Sequence, residues 1–148
     1  AAPHWDQYAR GTIVGITGGT TKEQLVRATL ESIAYQVKDN LDVMVKDSGI
    51  PIEVMRVDGG AVVNTFLMQF QADILGIPVD VPVITETTAL GAAYLAACGI
   101  GEFHDLSELE KNWKLYRRYE PHMEEDVRQE LLRNWHKAVE RAKNWAES

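Results

Sequence analysis

The chain has 148 residues, 45% hydrophobic and 25% charged, with 11 Gly and 5 Pro. That suits one domain or one large piece of a longer protein, and it is unlike disordered, collagen-like or coiled-coil sequences. The formal net charge of −7 argues against nucleic acid as a partner, because phosphate backbones select basic faces, although a nucleotide needs only local donors. Cys98 stands alone and no apolar run is long enough to span a bilayer, so neither a disulfide framework nor a membrane span is expected, and a reducing cytoplasm is the default setting.

The opening Ala1-Ala2-Pro3-His4-Trp5-Asp6 reads as the interior of a structure, which points to a fragment. Ala9–Ile16 mixes Gly with β-branched residues, the pattern of a short strand or bend. After Gly18-Gly19, Thr20 and Glu23 have capping-box spacing. Val26, Leu30, Ile33, Val37, Leu41 and Met44 then recur at steps of four and three, predicting one apolar stripe on a long helix that ends at Gly49.

Ile52–Val57 is a strand candidate that stops at Asp58-Gly59-Gly60. The next helix is expected from about Val62 to Leu75, with Val63, Leu67, Phe70 and Ile74 on its core face and Gly76 and Pro78 closing it. Val79–Ile84 is a second strand candidate, and its prolines suggest an edge or an end. In TALGAAYLAACGIG, the residues Ala89, Ala92, Ala93 and Ala96 form a small-residue face suited to close packing on another backbone, with Cys98 as buried filler. A short helix from Leu106, an extended Lys114–Pro121 segment and a last helix follow. The last helix carries Val127, Leu131, Trp135, Ala138, Ala142 and Trp145 on one side. Strands alternating with helices predict an α/β layered domain.

The chemistry centres on Arg56–Phe66, RVDGGAVVNTF. A strand-to-helix turn is where open α/β sheets bind ligands. Glycines there let a flat ring or sugar approach backbone, and a helix N-terminus offers unpaired N–H groups. Gly60 and Asn64 are four apart and would share a helical face. Asn64 can both donate and accept. On these grounds alone a plain structural turn is the commoner outcome, and Asp58 could cap the helix or sit near a metal, capping being favoured. The dinucleotide fingerprint G-x-G-x-x-G is missing, which disfavours a Rossmann-type cofactor domain. There is also no GK[ST] phosphate loop, no HExxH and no G-x-S-x-G elbow. His4, His104, His122 and His136 are far apart in sequence, so no metal site is expected.

Gly11-Thr-Ile-Val-Gly15-Ile16, seven residues, then Gln24-Leu-Val-Arg27-Ala-Thr-Leu-Glu31, resembles the second signature of the FGGY carbohydrate kinases. RATLESIAYQ, RVDGGAVVNTFLMQFQADILGIPV and TETTALGAAYLA are similar to the glycerol-kinase branch of that family, and the likeness runs essentially the whole length. Gly18 departs from the pattern, which often has arginine there, so no charge role carries over to that position.

The resemblance implies an actin-like ATPase (ribonuclease H-like) fold. The chain would form most of the C-terminal, nucleotide-side domain of a two-domain sugar kinase. Gly60 and Asn64, with Gly59 beside them, would contact ATP or ADP. The reaction implied is γ-phosphoryl transfer from Mg-ATP to glycerol, giving glycerol 3-phosphate. The family's D-x-G-T-type phosphate motif, catalytic aspartate, glycerol-binding residues and second phosphate loop have no counterpart here. No catalytic residue, glycerol pocket or Mg2+ ligand is therefore expected in this chain, which alone should be inactive. The resemblance also implies a homodimer or homotetramer for the full-length enzyme. The alternatives are another FGGY sugar kinase, whose distinguishing pocket would lie in the other half, or a stand-alone nucleotide-binding module.

Overall fold

The computed structural model describes residues 2–103 and 105–147; Ala1 and His104, both named above, lie outside the described residues, as does Ser148. Helix α1 spans Lys22–Ser48. Its capping box sits one residue later than expected. Thr21 Oγ1 accepts from the Gln24 amide (3.4 Å), and Gln24 Oε1 accepts from the Thr21 amide (2.9 Å). Thr20 is already engaged, because its hydroxyl accepts from the Thr17 amide at 2.9 Å. Gly49 closes the helix in the left-handed region, as anticipated.

The buried side of α1 is rotated from the expected stripe. Ala34, Tyr35, Asp39 and Leu41 are buried, whereas Val26, Ile33 and Met44 are exposed. Aromatic packing and one carboxylate set the rotation. Tyr35 meets Phe70 edge-on at 5.5 Å and stacks on Trp135 at 5.1 Å. Asp39 accepts from Trp135 Nε1 (2.7 Å) and pairs with His136 Nε2 (3.0 Å), which gives a buried carboxylate the partners it requires.

Three short strands form one sheet: β1 (Met55–Arg56), β2 (Val79–Pro82) and β3 (Leu115–Tyr119). Their order is β1-β2-β3, with β2 parallel to β1 and antiparallel to β3. The proline-bearing strand β2 is therefore central and fully buried, not an edge. Pro82 is tolerated because it is the last residue of β2, at a register irregularity where a ladder donor is not needed.

Helix α2 (Thr65–Leu75) supplies the middle of the core with Leu67, Met68, Phe70, Ile74 and Leu75. Val79 and Val81 of β2 and Tyr119 of β3 join the same cluster. The anticipated face holds for Leu67, Phe70 and Ile74. Val63 is exposed because it belongs to a separate 3-10 helix, Gly60–Val63, that ends before α2 begins.

Helices α3 (Thr87–Gly99), α4 (Leu106–Glu110) and α5 (Glu125–Ala142) complete the described elements. The small-residue face of α3 does not pack here: Ala89, Ala92, Ala93 and Ala96 are all exposed, no residue of α3 is buried, and Cys98 is half-buried. Along α5, Leu131, Trp135, Ala138 and Ala142 are half-buried and Leu132 is buried, while Val127 is exposed and Trp145 lies exposed beyond the helix end.

Ala9–Ile16 is not a strand, since none of β1–β3 supplies it with ladder partners, and Ile13, Val14 and Ile16 are exposed. The segment before it is held by the end of α5. Asp6 accepts from the Tyr8, Ala9 and Asn144 amides, Ala146 N–H donates to Tyr8 O, and Arg10 N–H donates to Ala142 O. These amides, Asn144 foremost, hold the Asp6 carboxyl below its ordinary range.

Burial, reinforced by the Glu31 charge, pushes the Tyr35 phenol up to about 12. The folded protein thus keeps a proton there that the unfolded chain releases near pH 10. Tyr35 therefore contributes nothing to pH dependence at neutral pH and disfavours the fold as pH rises from about 10 to about 12. In alkaline unfolding monitored by circular dichroism, Tyr35→Phe should lessen the loss of stability in that window. An unchanged alkaline slope would exclude this group as its source.

Candidate nucleotide site

The parallel strands β1 and β2 end side by side, and both run into loops at their carboxyl ends. After β1 the chain turns through Asp58-Gly59-Gly60; after β2 it passes through Val83–Glu86 into α3. Gly59 N–H donates to Thr85 O at 2.9 Å and ties the two loops together. This is the position at which open α/β sheets receive ligands.

The two glycines differ in physical role. Gly59 has φ 83° and ψ 176°, a region essentially restricted to glycine, so the turn itself demands it. Gly60 has no left-handed φ, is exposed, and a Cβ built on it would meet nothing within 4 Å. Neither backbone strain nor packing within the chain explains a glycine at Gly60. Its bareness leaves the approach to the turn open from outside.

Gly60 and Asn64 stand at opposite ends of the 3-10 helix and do not share one α-helical face, as the spacing had suggested. Asn64 caps α2, with Oδ1 accepting from the Leu67 amide at 3.0 Å. The acceptor is thus engaged by the chain, and the half-buried amide offers its Nδ2 donors. Asp58 is exposed and is not the cap: Gly59 occupies the cap position of the 3-10 helix, and Asn64 that of α2. Among the described residues, no three His, Cys, Asp or Glu side chains gather as a metal site, and no helix is long and apolar enough to cross a membrane.

The strand register brings together residues that sequence reasoning did not single out. Arg56, Asp80 and Arg118 are register partners across β1, β2 and β3. Arg118 grips Asp80 with two hydrogen bonds, Nε to Oδ1 at 2.6 Å and Nη2 to Oδ2 at 2.8 Å. The Arg56 guanidinium lies over the Trp113 ring, 4.4 Å from its centre. The Arg118 guanidinium holds the Asp80 carboxyl below the usual carboxylate range, outweighing burial, and Arg56 adds to it. The signal was an aspartate inside the valine-flanked strand Val79-Asp80-Val81, since a charge in such a run requires a partner. Beyond β2 lies an apolar groove of about 760 Å³, lined by Val83, Ile84, Leu90, Tyr94 and Trp113 among others. None of Gly59, Gly60 and Asn64 lines it.

Residues 1–100 match the sequence profile of the FGGY family of carbohydrate kinases, C-terminal domain. The chain belongs to that family. It is similar to the glycerol kinase of Caldanaerobacter subterraneus subsp. tengcongensis, 61% identical over 146 residues, which are 99% of this chain and 29% of that relative. Among solved structures it is similar to Plasmodium falciparum glycerol kinase with ADP (TM-score 0.82, 35% identity, 95% of this chain and 28% of that one). Ligand-bound xylulose kinase from Lactobacillus acidophilus is also similar (TM-score 0.81, 27% identity, 95% of this chain and 29% of that one). The fold is that of the C-terminal half of an FGGY sugar kinase, the α/β actin-like ATPase architecture, and the chain spans less than a third of the relatives it matches.

Proposed function

We propose that this chain is the nucleotide-side part of an ATP:glycerol phosphotransferase of the FGGY family. The observation that carries the reading is Gly60: an exposed glycine that neither strain nor packing requires, at the carboxyl end of a parallel strand. ATP or ADP bound against it would lie on the backbone of the Gly59-Gly60 turn, with the Asn64 amide donating to an oxygen or ring nitrogen of the nucleoside. The polyphosphate, with Mg2+ as its counter-ion, supplies the transferable γ-phosphoryl group.

This chain's own residues bind and orient the nucleoside; the hydroxyl acceptor, its base and the metal ligands belong to the remainder of a longer kinase. Phosphoryl transfer depends on holding both reactants in line, so half of the cleft should not turn over. The exposed small-residue face of α3 is the surface against which that remainder would close. A cytoplasmic setting and a homo-oligomer of the full-length enzyme belong to the same reading.

The choice of glycerol is supported by the 61% identity to a glycerol kinase and, among solved structures, by 35% to a glycerol kinase against 27% to the xylulose kinase. The test is a coupled assay of the full-length polypeptide with Mg-ATP. ADP release that requires glycerol supports the reading. Release with D-xylulose and not with glycerol moves the protein to a sister sugar kinase. No release with either, while ADP still binds, leaves a nucleotide-binding module and refutes phosphotransfer.

A further inference from the structure

We propose that Asp80 is a positioning residue for the nucleotide turn, acting through Arg118 and Arg56 as the centre of a three-strand charge row; this rests on the nucleotide reading above. Strand β1 is two residues long, yet it leads directly into Asp58-Gly59-Gly60. Its backbone pairing to β2 includes Met55 N–H to Pro78 O (2.9 Å) and Val57 N–H to Asp80 O (3.1 Å). With so short a ladder, cross-strand side chains add to what the backbone bonds hold in place.

The register supplies such side chains. Arg56 on β1, Asp80 on β2 and Arg118 on β3 stand in one row, alternating positive, negative and positive. Directly opposed unlike charges favour one pairing, and slipping β1 by a residue would turn Arg56 to the other face of the sheet. Asp80 is buried while Arg56 and Arg118 are exposed, so the row is partly shielded from water at its centre. Arg118 holds the carboxylate in a two-pronged grip that fixes its orientation. Trp113, from the segment before β3, lies under the Arg56 guanidinium and locates the outer end of the row. The row is also tied to the turn itself, because Val57 N–H bonds the carbonyl of Asp80 one residue before Asp58.

The functional consequence is specific. Loss of the Asp80 charge should loosen the turn and weaken the nucleotide, while the other reactant, bound elsewhere, is unaffected. The test compares full-length wild type with Asp80→Asn, which keeps the shape of the side chain. KM for ATP should rise about tenfold, with kcat and KM for glycerol within about twofold of wild type. Asp80→Glu, which keeps the charge, should restore part of the loss. If Asp80→Asn does not fold, Arg118→Lys carries the test by the same criterion, because it keeps the charge and removes the fork. A purely structural role would lower the thermal midpoint and leave KM for ATP unmoved, as Leu132→Ala on α5 should do. A rise in KM for ATP below about threefold overturns the proposal. A wild type that consumes no ATP with glycerol refutes the function reading instead, so the two failures are distinct.

Discussion

On the proposed nucleotide reading, Gly60→Val in the full-length protein should raise KM for ATP by at least about tenfold and leave the thermal midpoint within a few degrees of wild type. The stability part follows from the local geometry. Gly60 is exposed, and a Cβ there meets nothing within 4 Å, so the isopropyl group has room within the protein. The binding part follows from the same empty space, which the branched side chain would take from the nucleotide. KM for glycerol should hardly move, because uniform binding of the other reactant is untouched. Gly59→Ala makes the informative contrast. With φ at 83°, any side chain strains the turn, so that variant should lose both stability and nucleotide binding. Steady-state kinetics and thermal melts of both variants check the pair. Unchanged ATP kinetics in Gly60→Val would remove this residue from the site.

Ile74→Ala should destabilise the chain by about 2–5 kcal/mol, the range for deleting a fully enclosed aliphatic side chain. Ile74 has no exposed surface and sits in the cluster where α2 meets Val79 and Val81 of β2. A domain of this size has about 5–15 kcal/mol in total, so the loss is a large share of it. Ala93→Ser on the exposed face of α3 should change stability by less than about 0.5 kcal/mol. Urea unfolding of the two variants at constant slope measures the difference. Comparable losses from both would mean that α3 is packed in solution, contrary to its exposure here.

Much of the architecture was legible where one local rule decided it. Gly49 and Gly76 close their helices as expected, and Leu67, Phe70 and Ile74 face the core because α2 is short and straight in its periodicity. Errors arose where tertiary partners decided instead. The apolar stripe of α1 was displaced by Tyr35 stacking on Trp135 and by Asp39, a charge that no hydrophobic pattern would assign to a core. Pro82 suggested an edge or an end; it is the end of β2, and only the pairing with β3 shows that the strand is central. The alanines of α3 suggested close packing, but among the described residues that face is exposed. In the candidate site, Gly59, Gly60 and Asn64 were singled out from the strand-to-glycine turn and the family resemblance, and they lie in the turn and 3-10 helix that follow β1. Arg56, Asp80 and Arg118 were not found as a group, because only the strand register brings positions so far apart into one row.

The clasp between Asp6 and Asn144 joins residues 138 positions apart. Ring closure over such a span is entropically unfavourable, so this contact is expected to form after the local helices. On a ribosome adding about 5–20 residues per second, Asp6 would wait roughly 7–28 s before Asn144 is even synthesised. Throughout that interval the segment around Asp6 has no clasp partner, and slowing translation near the end of α5 would lengthen its exposure to proteases and chaperones.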